Sequence, residues 1–474
     1  MHSTSLEGDE SPIAALPPEI LLEIFDACRI PADDVDGRVA VLEKLPVRAG
    51  PPTIAAVCQR WRDLATNAPT LWTDIHISYP TRRLYSVTTL LHLLLSRSAG
   101  RPLSIFVRSY LDGGRVDFAE PVIRTVIEQS TRWARLDMRK CEGMYRLLLS
   151  CGGRLPRLRS VRISWGYLSL SSQDSELLHQ LFVDCPQLVD VDISGPDLQF
   201  PWEQLRRYKV SMAGPPANEA LRRTTHARTL RFVAASDSHM PVNLLDNGES
   251  PLERRHLKKL TLPSISHLLS FRAPRLSGCH IVEDVKPEEM CILTDYIRTQ
   301  GIQLSGLSLS LESPDAAKLR VVLVQCPTLR RLQLRLYPDQ HQPHKAPIDY
   351  NAAGFADVLS ILMVRGRQPA LLPMLRYLGI MMTCVLSDMA STLFAVVRSR
   401  IFAPDKAVVP LQSLSLNVHH AQSMVLANAV SRLRTRLEHV QADGGPTINI
   451  VHRIIGDQDR SRRTSTWEKR WTMP

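Results

Sequence analysis

The sequence predicts an α/β protein in which a small helical module at the N-terminus precedes a long array of strand–helix units. Three observations carry that prediction. Apolar residues at helical spacing form two short helices near the start of the chain. A six-residue pattern, Leu-x-x-Leu-x-Leu with apolar substitutions, returns along most of the remaining chain. Helical stretches lie between copies, and two end in the same word, Cys-Pro and then Leu two residues later.

The first helix is expected over Leu16-Pro17-Pro18-Glu19-Ile20-Leu21-Leu22-Glu23-Ile24-Phe25. Proline suits a first turn, where its missing N–H would have no intrahelical partner. Glu19 and Glu23 lie near the positive end of the helix dipole. Ile20, Leu21, Ile24, Phe25 and Cys28 recur as one apolar stripe. A second helix is expected from Ile54 to Ala65 with Thr53 as N-cap, burying Ile54, Val57, Cys58, Trp61, Leu64 and Ala65. Asn67 and Pro69 end it, and Leu71-Trp72 come next. Two such helices cannot hold a core alone, so their apolar faces need a neighbour within the chain or beyond it.

The order Leu-Pro-x-Glu-Ile, Ile-Phe, Val-Cys-x-x-Trp, Leu-Trp resembles the F-box. That resemblance implies a helical trap docking on a Skp-type adaptor, which in turn binds a cullin scaffold. Carried over by motif position, Leu16, Pro17, Glu19, Ile20, Leu21, Ile24 and Phe25 supply the first part of the adaptor interface. Val57, Cys58, Trp61, Leu71 and Trp72 complete the trap or its adaptor contacts. The stretch between the two helices is longer than the family's usual joint. Asp33, Asp34, Asp36, Gly37, Gly50, Pro51 and Pro52 mark residues 30–52 as a loop insertion, with a short helix expected at Val39 to Leu45.

Eight copies of the Leu pattern begin at Trp133, Leu158, Leu188, Leu257, Leu304, Leu329, Leu375 and Leu411. Their last two apolar positions alternate, the period of a strand with one buried face. Helices are expected at Ser175 to Val183, Ala316 to Gln325 and Ala353 to Val364. The helix endings Asp184-Cys185-Pro186-Gln187-Leu188 and Gln325-Cys326-Pro327-Thr328-Leu329 match. Helix, Cys-Pro, strand is a unit that buries its apolar face on its neighbours, and it resembles irregular leucine-rich repeats in a solenoid. Residues interleaved with the buried positions then face the concave side: Arg135, Asp137, Arg139, Ser160, Arg162, Asp190, Asp192, Lys259, Arg331, Gln333, Arg335 and Tyr377. Mixed charge with basic clusters there suits an acidic or phosphorylated protein substrate, because Arg forks match phosphate oxygens. The expected organisation is residues 12–78 for the F-box, 79–440 for the repeat array and 441–474 for a basic tail.

Composition narrows the function further. With 44% hydrophobic and 22% charged residues, the chain can bury a large core and is too apolar for disorder. Its 58 Lys and Arg against 47 Asp and Glu give +11, which admits an acidic partner. Nine cysteines without a Cys-x-x-Cys pair resemble neither a disulfide framework nor a zinc site, and no Asn-x-Ser/Thr sequon occurs. The polar start, Met1 to Glu10, is no signal peptide, and no window suits a membrane span. The expected compartment is cytoplasmic or nuclear. No phosphate loop, dinucleotide fingerprint, His-Glu-x-x-His or Gly-x-Ser-x-Gly is present. The chain is therefore expected to be a non-catalytic subunit with no metal or cofactor. His341, His344, His419 and His420 are read as surface residues. Residues 211–218, 236–251 and 337–354 are read as surface insertions, and nucleic acid is a disfavoured partner despite the basic tail with Trp467 and Trp471. An adaptor-independent repeat scaffold and a basic nucleic-acid-binding protein are the competing readings.

Overall fold

The computed structural model describes residues 12–28, 51–79, 84–109, 120–139, 145–164, 171–194, 198–211, 221–233, 250–311, 315–336, 352–365, 369–382, 387–403, 407–420, 424–442 and 447–454. It is a mixed α/β protein with extensive parallel sheet, in two compact units that divide between residues 201 and 202. Most of the expected insertions at 30–52, 211–218, 236–251 and 337–354, and the tail from 455, lie outside the described residues; where they are described, Pro51 and Pro52 are helical, Ser211 ends a strand and residues 352–354 begin a helix.

In the first unit a 3-10 turn at Pro12–Ala15 leads into α1 (Pro18–Ala27), with Pro17 as its N-cap and Pro18 opening the helix. The expected second helix is in fact two. Pro51 and Pro52 begin α2 (Pro51–Ala55), and α3 (Gln59–Thr66) starts afresh. Cys58 between them is extended, with φ −156° and ψ 172°, and it, rather than Thr53, is the N-cap of α3. The Arg62 guanidinium donates to the Ala55 carbonyl at 3.0 Å, giving the end of α2 a donor partner that periodicity alone does not reveal.

A 3-10 turn at Pro69–Trp72 brings the chain to the sheet. Leu21, Phe25, Ala55, Ala65, Leu71 and Trp72 form one buried cluster with Leu94 of α4 (Leu84–Arg97). The Trp72 indole N–H donates to the Ala65 carbonyl at 2.6 Å, so its polar edge is satisfied inside that cluster.

Strands β1 (Asp74–Tyr79), β2 (Leu103–Ser109), β3 (Trp133–Arg139), β4 (Ser160–Ser164) and β5 (Asp190–Ser194) pair in parallel, each with the next. Parallel neighbours need crossover connections. These contain α4, α5 (Glu120–Ile127), α6 (Tyr145–Leu149) and α7 (Ser172–Gln180), and successive helices pack side by side. Ser171 caps α7 by accepting from the Asp174 amide.

The second unit repeats the arrangement. β6 (Arg207–Ser211), β7 (Thr229–Val233), β9 (Lys259–Leu262), β11 (Gly278–Val285), β12 (Gly306–Leu311), β13 (Arg331–Leu336), β14 (Tyr377–Met382), β15 (Ser413–His420) and β16 (Thr447–Ile454) are parallel. β8 (Leu252–Glu253) and β10 (Phe271–Arg272) make a separate two-stranded pair. Helices α8 (Met290–Gln300), α9 (Ala316–Val324), α10 (Ala352–Ser360), α11 (Ser387–Ile401) and α12 (Met424–Ala442) pack in sequence. The sheet runs past the expected boundary at residue 440, because β16 extends it beside β15 over eight residues.

All eight Leu-pattern copies are strands of these sheets, and their Leu, Val, Ile and Met positions are buried. The matching Cys-Pro words are turns. The amide of Leu188 donates to the Cys185 carbonyl at 3.1 Å, and that of Leu329 to the Cys326 carbonyl at 3.1 Å. The same bond closes Leu155-Pro156 to Leu158, Ala273-Pro274 to Leu276 and Leu372-Pro373 to Leu375. Proline stands second in each turn, where its fixed φ is preorganised. Further copies escaped the sequence pattern because other apolar residues replace its Leu. Leu205-x-x-Tyr208-x-Val210, Ala227-x-x-Leu230-x-Phe232 and Leu276-x-x-Cys279-x-Ile281 are equally buried.

Candidate protein-interaction surfaces

The N-terminal module divides its motif residues between an inside and an outside. Leu21 and Phe25, one helical turn apart, are fully buried, as are Leu71 and Trp72. Trp61 is half-buried, its ring 4.9 Å from that of Phe25, and Leu16 is half-buried with its carbonyl accepting from Arg60 at 2.5 Å. Ile24 is also half-buried. Pro17, Glu19, Ile20, Val57 and Cys58 are exposed. The single stripe expected on α1 is thus split: 21 and 25 face the core, while Ile20 and Cys28 stand in solvent. Ile20 at 41% and Val57 at 59% exposure are the large apolar side chains of the motif that the module leaves uncovered.

In each sheet, the residues alternating with the buried Leu positions form a polar face. On the first unit, register sets His76, Phe106, Asp137, Arg162 and Asp192 in one row across β1 to β5. His76 stacks on Phe106 with ring centroids 4.4 Å apart, and the Arg135 guanidinium lies 5.3 Å from the Phe106 ring centre. Asp137 departs from the expectation of a partner-facing residue. It is fully buried, ion-paired to Arg139 at 2.9 Å and to Arg162 at 3.3 Å, and Arg162 also reaches Asp192 at 3.1 Å. The reason is register: parallel pairing places Asp137, Arg162 and Asp192 side by side, so their charges neutralise one another. Asp190 stands half-buried beside Ser160 in the adjacent row.

The second unit's polar face carries more basic than acidic residues across its described strands. Arg207, Thr229, Lys259, Gly278, Gly306, Arg331 and Tyr377 make one row, and Lys209, Arg231, Thr261, His280, Ser308 and Gln333 the next. Lys259, Arg331 and Gln333 are half-buried, and Tyr377 is exposed with the Arg331 guanidinium 5.0 Å from its ring centre. Arg335, expected at the surface, is buried, and Arg231 and His280, which sequence reasoning missed, are buried beside it. Burial, then Arg335 and Arg231, hold the His280 imidazole well below its ordinary pKa. Burial, then Arg331 and Arg207, lower that of Lys259. Only alternation within β7 and β11 could have pointed to Arg231 and His280, and their strands lack the full Leu pattern.

No protein-family model matches the chain, and no curated protein matches it. Among the described residues no three His, Cys, Asp or Glu side chains group as metal ligands. None of the described helices is long and apolar enough to cross a membrane. The arrangement offers two surfaces: a small apolar one on the N-terminal module and an extended charged one on the sheets.

Proposed function

We propose that this chain is a non-catalytic substrate receptor of an SCF-type ubiquitin ligase. In this reading the N-terminal module is an F-box that docks on a Skp-type adaptor and through it on a cullin scaffold. The strand–helix array is an irregular leucine-rich-repeat solenoid that holds a protein substrate on its polar face. Ubiquitin chemistry belongs to other subunits, and the receptor acts by tethering, which raises the local concentration of its target.

One observation carries the reading. The motif residues separate into an enclosed set, Leu21, Phe25, Leu71 and Trp72, and an exposed apolar pair, Ile20 and Val57, beside Pro17 and Glu19. Fully burying such a side chain contributes about 1.5–3 kcal/mol. The exposed fractions of Ile20 and Val57 together therefore offer roughly 1.5–3 kcal/mol to a partner, or roughly 10- to 150-fold in affinity.

The test is co-purification with a Skp-type adaptor. Ile20→Asp with Val57→Asp is expected to abolish capture and leave the melting temperature unchanged, because neither side chain is in the core. Full adaptor retention by the double variant, or none by the wild type, overturns the assignment. An adaptor-independent scaffold is the second reading. It is favoured by the packing of Leu16, Leu22, Ile54, Trp61 and Leu64 against the module's own core, and it requires that the wild type capture no adaptor.

A further inference from the structure

The second unit gathers positive charge along the rim where the chain enters its strands. The residue before each strand donates its amide to the carbonyl of the equivalent residue in the preceding repeat. Arg228 donates to Arg206, Lys258 to Arg228, Ser277 to Lys258, Ser305 to Ser277 and Arg330 to Ser305, at 2.7–2.9 Å. These bonds set Arg206, Arg228 and Lys258 on neighbouring strands and Arg330 three strands further on, a row of about 24 Å at the usual strand spacing. The same place in the first unit holds Ala134, Arg159 and Val189, joined by the same bonds, so the fold itself does not require cations there.

A second row runs beside the first. His226, His256 and Arg275 each stand third in a four-residue turn, closed by the amides of Ala227, Leu257 and Leu276. The His226 and His256 rings are exposed and stacked, with centroids 5.6 Å apart and planes 27° from parallel. Arg206, Arg228, Lys258, Arg275 and Arg330 are exposed, and their side chains make no hydrogen bond or ion pair among the described residues. Segments 202–206, 221–228, 250–258, 272–277, 301–305 and 325–330 carry the two rows. Their exposed carboxylates are Glu203 and Glu253, and Glu253 is held by Arg255 at 3.0 Å. Cations one strand apart repel one another, and a chain of anions laid along them relieves that repulsion.

We infer that this rim binds a single-stranded nucleic acid, with phosphates along the cation row and unpaired bases on the histidine pair. The stacked rings select this partner. His226 lies two residues before Arg228 and His256 two before Lys258, and bases stack on aromatic faces while basic side chains follow the phosphates. An acidic peptide would use the cations and leave the rings idle. An anionic membrane fits less well, because the segments that carry the rows expose no large apolar side chain to enter it. The cations are scattered between positions 206 and 330, so charge read along the chain disfavours nucleic acid, and it is the parallel register that lines them up.

The test is binding of the full chain to a labelled single-stranded oligonucleotide of mixed sequence, against labelled polyglutamate and phosphatidylserine vesicles. If four or five phosphates are neutralised, raising salt from 50 to 200 mM should weaken oligonucleotide binding roughly 50- to 130-fold. Arg228→Glu with Lys258→Glu should weaken it at least tenfold and flatten the salt slope by about 1.4. His226→Ala with His256→Ala should weaken it about fivefold or more and leave the slope unchanged. In the wild type the oligonucleotide should slow acetylation of Lys258, a readout independent of how the variants fold. No binding at low salt, an unchanged affinity in either double variant, an unaffected Lys258, or tighter binding of polyglutamate or vesicles overturns the inference. It does not rest on the receptor reading: adaptor capture from the same preparation can fail while oligonucleotide binding holds, and the reverse.

Discussion

Replacing Asp137 by Ala tests whether the first unit's charged row holds its sheet together. The Asp137 carboxylate is fully buried and accepts from Arg139 and Arg162, whose side chains retain 19% and 26% exposure. Removing one partner of a fully buried pair costs about 3–5 kcal/mol, because the other charge is left uncompensated. Here both guanidiniums keep some water, and Arg162 keeps Asp192 at 3.1 Å, so about 2–3 kcal/mol is expected. Arg162→Ala should cost less, since Asp137 retains Arg139. The double variant should show a coupling of about 1–2 kcal/mol, as expected for residues in one ion-pair network. The measurement is urea denaturation combined with hydrogen exchange on peptides from β3 to β5, which localises the loss to this unit. If Asp137→Ala shifts stability by less than about 0.5 kcal/mol, the range of an ordinary surface substitution, the reasoning fails.

The same physics sets other outcomes. Arg400 is 1% exposed, and it donates to the carbonyls of Leu362 at 2.9 Å, Leu372 at 3.0 Å and Leu371 at 2.6 Å. Arg400→Met should destabilise by about 2–4 kcal/mol by orphaning the Leu362 and Leu371 carbonyls, while Leu372 keeps the Leu375 amide, and Arg400→Lys by less, with exchange rising first in residues 361–375. Among the described cysteines, Cys28, Cys58 and Cys291 are exposed while Cys151, Cys185, Cys279 and Cys326 are buried. Site-resolved alkylation at pH 8 should therefore label the first three and spare the other four until unfolding. Burial lifts Cys151 to about 11 and the other three buried thiols to about 12, above the ordinary value of 9. Between pH 9 and 12 the unfolded thiols lose protons that the folded ones keep. Stability present below pH 9 should thus fall as pH rises, by up to about 1.4 kcal/mol per pH unit per thiol. A denaturation midpoint that does not move between pH 8.5 and 10.5 would count against that burial.

Several features could be read directly from the chain. Leu-x-x-Leu-x-Leu marks a strand because alternation and turn chemistry are local, and the X-Pro turns need only the preset φ of proline. In β4, β5, β9, β12, β13, β14 and β15 the repeated Leu, Val and Ile are all buried, and in some of them Thr261, Ser308, Ser310 and Arg335 between those positions are buried too. Strands β6, β7 and β11 were missed because Tyr208, Ala227 and Cys279 fill the same core sites with different side chains. The break at Cys58 was missed as well. Val57 and Cys58 continue the helical spacing, while the extended backbone and the Arg62 bond to Ala55 that separate α2 from α3 are contacts between residues.

The strand–helix units, the residues that most of them bury, and the motif residues carried by the N-terminal helices are therefore all written in the chain itself. These are matters of period and of local backbone preference. The distribution of charge over the polar faces comes instead from tertiary pairing. Parallel register sets Arg162 between Asp137 and Asp192 and cancels them, and it sets Lys259 and Arg331 in one row with Gly278 and Gly306 between them. Packing of the module likewise leaves Ile20 and Val57 outside while Leu21, Phe25 and Trp72 are enclosed. Electrostatic energy depends on distance across strands far apart in the chain, so no reading of one segment at a time could have supplied it.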